Sequence, residues 1–82
     1  MATNSLHQSP YFCEGSEAML QLEAMVDRAG LGNVLYALEH ICYAKADHVQ
    51  ANWQDPTTAN RWERLGNAMH KAAHAASAHS RL

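Results

Sequence analysis

His70 and His74 are the pair of side chains in this sequence best placed to do chemistry. Their four-residue spacing puts two imidazole rings on one side of a helix, which is a chelating arrangement for zinc, copper or nickel. Glu63 lies on the same helical stripe and is a candidate third ligand. A solvated polar helix face is the competing interpretation, because no HExxH pattern or cysteine pair accompanies these residues. We therefore expect a protein without a cofactor. Zinc binding through His70, His74 and Glu63 is the alternative hypothesis.

Lys45 and Cys42 are the other groups that could react, and both lie in a predicted central helix. Lys45 falls near the centre of the apolar face of that helix, where a carboxylate partner such as Glu23 or Asp27 would stabilise its charge. Cys42 is most simply a small core residue. An enzyme that uses either residue ranks last, because the sequence has no phosphate-binding loop, nucleophile elbow or zinc knuckle. We expect a protein that is not an enzyme.

The composition narrows the class of protein and its partners. The 82 residues suffice for one small domain, and the net charge of −2 makes nucleic acid an unexpected partner. Residues 1–40 carry five acidic residues against one arginine, whereas residues 41–82 carry five basic residues against three acidic ones. Two cysteines make no disulfide framework, and the N-terminus lacks an apolar run. These features favour a cytoplasmic protein with no membrane partner.

Apolar residues at three- and four-residue spacing predict an all-α fold, a small three-helix bundle. Ser16 is a good N-cap for the first helix, and Gly30 a natural stop. Asn33 is the expected cap of the second helix. Asp55 and Pro56 form the strongest local signal, since an N-cap aspartate precedes a proline at the first helical position. The expected organisation is a flexible N-terminal arm over residues 1–15, then one domain over residues 16–82 with helices at about 17–29, 34–53 and 56–78.

The second helix carries residues suited to binding another protein. Three alanines recur every seven residues, and two tyrosines lie on its outer side. Small residues let another helix approach closely, and tyrosine is favoured at interfaces. An aromatic pair in the N-terminal arm could add to such a surface. The candidate partner-binding residues are Tyr36, Ala37, Tyr43, Ala44, Ala51, Tyr11 and Phe12.

Two tryptophans flank the predicted turn between the second and third helices. Trp53 and Trp62 both fall on apolar faces, so a shared core cluster is expected there. The two-residue connection before Pro56 predicts that these helices form an antiparallel hairpin. Arg61, Arg64 and Lys71 cluster on the third helix, which keeps a helix-turn-helix nucleic-acid binder as the second alternative.

The stretch LYALEHICYAKADH at residues 35–48, with NWQD at 52–55 and RWE at 61–63, resembles short, uncharacterised bacterial helical proteins. The similarity covers about residues 22–73. It implies a bacterial, cytosolic origin and brings no activity with it. The function that we expect from the residues is a small non-enzymatic interaction module that self-associates into a homo-oligomer or binds a larger protein.

Overall fold

The computed structural model describes residues 10–78 and contains three α-helices, with no strand in that range. They are α1 (Glu17–Ala29), α2 (Leu31–Trp53) and α3 (Pro56–Ser77). This confirms the predicted all-α, three-helix fold. Residues 10–15 of the predicted arm are not helical. The remaining residues of the predicted arm and the end of the chain, including His79, lie outside the described residues.

The predicted caps start α1 and α3. The Ser16 side chain accepts a hydrogen bond from the Met19 N–H at 3.1 Å. At the start of α3, Asp55 accepts from the Thr58 N–H at 3.1 Å and from the Thr58 hydroxyl at 2.7 Å. Each cap satisfies a backbone donor that the first helical turn leaves without an intrahelical partner. Both helix starts therefore follow from local sequence.

The junction between α1 and α2 is one residue long. Gly30 adopts φ 92° and ψ 145°, a conformation that side-chain-bearing residues rarely adopt. The chain turns sharply there, so α2 begins at Leu31, three residues before the predicted start. Asn33 is consequently not the cap of α2, and its side-chain amide donates instead to the Ala29 carbonyl at 2.8 Å.

The helices α2 and α3 form the predicted antiparallel hairpin, which packs along its whole length. A methyl group at Gly32 near the start of α2 would meet Ser77 at the end of α3, and one at Gly66 would meet Tyr43. The buried residues between the helices are all small, and we call them the seam. Its members are Gly32, Cys42, Ala46, Ala59, Gly66, Ala73 and Ala76. Small side chains bring the two backbones close together, which leaves little room for large side chains between them.

α1 packs much less tightly than the hairpin of α2 and α3. α1 contacts α2, and no Cα atom of α1 lies within 8 Å of one in α3. No residue of α1 is fully buried. The molecule is thus a tight hairpin with a helix placed loosely on one side.

The large apolar side chains lie outside the seam. Among the described residues, no large side chain is fully buried. Trp53 is 73% exposed, so the predicted core cluster of Trp53 and Trp62 is wrong. Lys45 is also exposed and forms no ion pair within residues 10–78, so a carboxylate partner from α1 is not found there. Because the seam takes only small residues, the large ones are displaced to its borders and to the surface.

Candidate interaction surface

One side of the hairpin is closed by polar contacts between α2 and α3. The Tyr43 hydroxyl donates to the Asn67 side-chain oxygen at 2.5 Å, and the Tyr43 ring covers Gly66. Partial burial raises the pKa of Tyr43, and the negative charges of Glu39 and Glu63 raise it further. The hydroxyl is therefore protonated at neutral pH and available as a donor.

A second contact on this side joins Glu39 and His70. The His70 Nδ1 lies 3.2 Å and 3.1 Å from the two carboxylate oxygens of Glu39. The Tyr36 ring meets the His70 ring edge-on, with ring centroids 6.1 Å apart. We call this the polar side of the hairpin. Two of the predicted partner-binding residues, Tyr36 and Tyr43, are half-buried here against α3.

Helix geometry puts the apolar residues on the opposite side. Successive residues of an α-helix turn by about 100°. Measured from the seam on α2, Tyr43 is turned to one side by roughly 60–80° and Leu38 by roughly 60–80° to the other. On α3, His70 is turned by about 50° one way from the seam and Leu65 by about 90° the other way. Leu38 and Leu65 therefore share the side away from the polar contacts, and we call it the apolar side.

The apolar side continues into an open groove of about 370 Å³ between α1 and α2. Its walls include Leu22 and Met25 of α1 and Leu38 and Ile41 of α2, and Arg28 lies at its edge. Met25 is 52% exposed, Ile41 51%, Leu65 50% and Leu38 39%. Large apolar side chains that remain about half in water are typical of surfaces that contact another protein.

The predicted alanine stripe is exposed along its length. Ala37, Ala44 and Ala51 are each open to solvent, and Ala37 also lines the groove between α1 and α2. Tyr11 and Phe12 are exposed as well, and their rings meet edge-to-face with centroids 4.7 Å apart. Their assignment to a partner-binding surface stays a prediction.

The candidate metal ligands are only partly brought together. The rings of His70 and His74 lie 6.2 Å apart by centroid. Glu63 is two turns before His70 on α3, about 10 Å along the helix axis. The carboxylate beside His70 is Glu39, from α2. In the described part of the chain, no three His, Cys, Asp or Glu side chains converge as a metal-binding group.

Sequence reasoning missed Glu39 and the exposure of Leu38, Ile41 and Leu65. The three- and four-residue spacing of these apolar residues predicts helix faces that bury a core. The sequence of α3 carried a signal for this exposure. Most residues on the inner face of α3, which packs against α2, are alanine or glycine. A seam that small cannot cover large side chains on the facing helix.

Comparison with known proteins found no matching family model, no similar curated protein and no similar solved structure. Within residues 10–78, no helix is both long and apolar enough to cross a membrane. The physical character of the surfaces is therefore the basis for the function proposed next.

Proposed function

We propose that this protein is a small non-enzymatic interaction module that self-associates in the cytoplasm through its apolar side. The single observation that carries the proposal is the exposure of Met25, Leu38 and Ile41 in the groove between α1 and α2, with exposed Leu65 on the same side of the hairpin as Leu38. The opposite, polar side satisfies its own groups through Tyr43–Asn67 and Glu39–His70. The apolar side groups several exposed large apolar side chains, and covering them removes apolar surface from water.

The free energy gained by covering this surface sets an upper bound on the strength of association. Fully burying a large apolar side chain contributes about 1.5–3 kcal/mol, so four half-exposed ones contribute about 3–6 kcal/mol for each copy. Two copies together gain about 6–12 kcal/mol, of which lost translational and rotational freedom offsets a large part. A weak to moderate complex is therefore expected.

Light scattering on the full chain between about 5 and 500 µM tests self-association. We expect the mass to rise above that of the monomer, 9.1 kDa, as concentration increases. Leu65→Glu places a charge on the apolar side without touching the seam, so it should keep the protein monomeric and helical. A monomer across the whole range for the unmodified chain would contradict the proposal.

Trp53→Glu is the control. Trp53 is 73% exposed, more than the 50% of Leu65, but it ends α2 at the hairpin turn and does not line the groove. The same substitution outside the apolar side should leave self-association unchanged. Equal loss in both variants would mean that general surface hydrophobicity, and not the apolar side, drives association.

Zinc binding through His70 and His74 is the second candidate function. It is supported by the Glu39 carboxylate, a candidate oxygen ligand that lies 3.1 Å from His70 Nδ1, but in residues 10–78 Glu39, His70 and His74 do not converge as a metal-binding group. A His or carboxylate from another chain would have to complete the tetrahedral set. Assembly that appears only when zinc is added, and is lost in a His70→Ala/His74→Ala variant, would favour this candidate over the first.

A further inference from the structure

We propose that the partner is a second copy of this chain, related by a twofold axis parallel to α2, so that α1 of each copy lies over α3 of the other. This inference rests on the proposed function and specifies its geometry. It names which surfaces meet and which charges face each other across the contact.

The first observation is the vacant position beside α1. On the apolar side α1 lies against α2 across the groove, and no Cα atom of α1 lies within 8 Å of one in α3. Leu65 of α3 is left half exposed there, while Met25 of α1 is half exposed at the groove. A single chain thus presents a helix that lacks a second neighbour and a hairpin surface that lacks a covering helix.

The second observation is the opposite net charge of α1 and α3. α1 carries three acidic residues and one arginine, a net charge of −2, whereas α3 carries three basic residues and one glutamate, a net charge of +2. Within residues 10–78, Glu39–His70 is the only pair of acidic and basic side chains within 4.0 Å. The charges of α1 and α3 are therefore not paired inside one copy.

A twofold axis parallel to α2 satisfies both observations. When the apolar sides of two copies face each other, rotation about this axis carries α1 from above α2 of its own copy to above α3 of the other. The surface patch then matches itself, as an isologous dimer requires. An axis perpendicular to α2 in the plane of the hairpin would instead place α3 of one copy over α3 of the other, and repulsion between two basic helices disfavours it.

Charge exchange between helices tests the arrangement. Glu23→Lys/Asp27→Lys changes α1 from −2 to +2, because two negative charges become positive, and Arg61→Glu/Arg64→Glu changes α3 from +2 to −2. Each double variant alone then has like-charged α1 and α3. We expect its dimer dissociation constant to rise at least tenfold at low ionic strength, measured by sedimentation equilibrium.

An equimolar mixture of the two double variants should restore dimerisation. In that heterodimer, the positive α1 of one copy lies over the negative α3 of the other, and the reverse contact is equally favourable. Recovery to within about threefold of the unmodified dissociation constant, weakened by 0.5 M salt, is the supporting result. Circular dichroism of each variant checks that the helices are intact.

Two outcomes would overturn the inference, and they are distinct from failure of the proposed function. If the unmodified chain dimerises but each double variant alone dimerises equally well, α1 does not lie over the partner's α3. If each double variant alone dimerises more weakly but the mixture of the two does not regain dimerisation, the charges act within one copy. If the unmodified chain is monomeric at every concentration, the proposed self-association itself is wrong.

Discussion

Gly66 makes room on α3 for an aromatic ring of α2. A methyl group built there would lie 2.8 Å from Cδ1 and 2.9 Å from Cζ of the Tyr43 ring, which no folded protein tolerates without movement. The same ring is held by the hydrogen bond from its hydroxyl to Asn67. One missing side chain on α3 thus fixes the position of an aromatic ring on α2.

Gly66→Ala should destabilise the protein, although alanine favours helix. The intrinsic gain is about 1 kcal/mol, whereas overpacking typically costs about 1–3 kcal/mol. We expect a net loss of about 1 kcal/mol in the free energy of unfolding, measured by urea denaturation followed by circular dichroism. The same substitution in a Tyr43→Ala background should stabilise, by up to about 1 kcal/mol, because the obstructing ring is gone. A destabilising effect of equal size in both backgrounds would show that Tyr43 is not the obstacle.

The residue-scale features that could be predicted are those set by near neighbours in sequence. Ser16 and Asp55 were identified as caps because a cap contacts a residue three positions later. The Tyr43–Asn67 and Glu39–His70 contacts span 24 and 31 residues. They depend on the register of two helices, and periodicity gives the face of a residue without giving its partner.

At the scale of the element, the stability of α3 depends on the cap at its N-terminus, Asp55. The Asp55 carboxylate accepts hydrogen bonds from the Thr58 hydroxyl and the Thr58 N–H. Both bonds lower the pKa of the Asp55 carboxyl, and the bond from the hydroxyl has the larger effect. A carboxyl whose pKa is lower in the folded state contributes stability above its unfolded pKa, which is lost as pH falls through the folded value. This contribution therefore disappears below about pH 4.

Asp55→Asn should remove this pH dependence while keeping the cap. Asparagine caps about as well as aspartate but does not ionise. We expect the stability advantage of the unmodified chain over the variant to shrink as pH falls from 6 to 3, measured as the difference between their urea midpoints. Asp55→Ala should be less stable than both at pH 6. A midpoint difference that is constant with pH would exclude the ionised carboxylate as the stabilising group.

The start of α2 shows where element boundaries escape local reasoning. Asn33 has the chemistry of a cap, yet Gly30 completes the turn within one residue and lets Leu31 enter the helix directly. Whether a glycine ends one helix or links two depends on where the next helix packs. That packing is a tertiary property, so the existence of three helices was predictable, whereas the length of the junction was not.

At the scale of the whole molecule, the distribution of side-chain size decides what is buried. The sequence predicts a bundle in which apolar faces meet, and three helices are present. The structure buries a seam of small residues and leaves Leu38, Ile41 and Leu65 at 39–51% exposure. Periodicity ranks residues by hydrophobicity, but the helix spacing is set by the smallest residues, Gly32 and Gly66 among them.

Stability should therefore depend on protein concentration. If the folded chains associate and the unfolded chains do not, each tenfold increase in concentration adds about 1.4 kcal/mol to the apparent stability of the dimer. We expect the thermal midpoint, followed by circular dichroism, to rise by several degrees between 1 and 100 µM. The midpoint of Leu65→Glu should be independent of concentration. Identical midpoints for the unmodified chain at both concentrations would place all of its stability within the monomer.

The seam has a consequence for how the sequence can vary. The residues that hold α2 and α3 together, such as Cys42, Ala46 and Ala73, are not the residues that form the apolar side. Enlarging a seam residue pushes two backbones apart along their length, whereas exchanging Leu65 or Ile41 for another side chain changes only the outer surface. Substitutions that accumulate on the apolar side can therefore change which partner is bound and how tightly, while the hairpin of α2 and α3 stays the same.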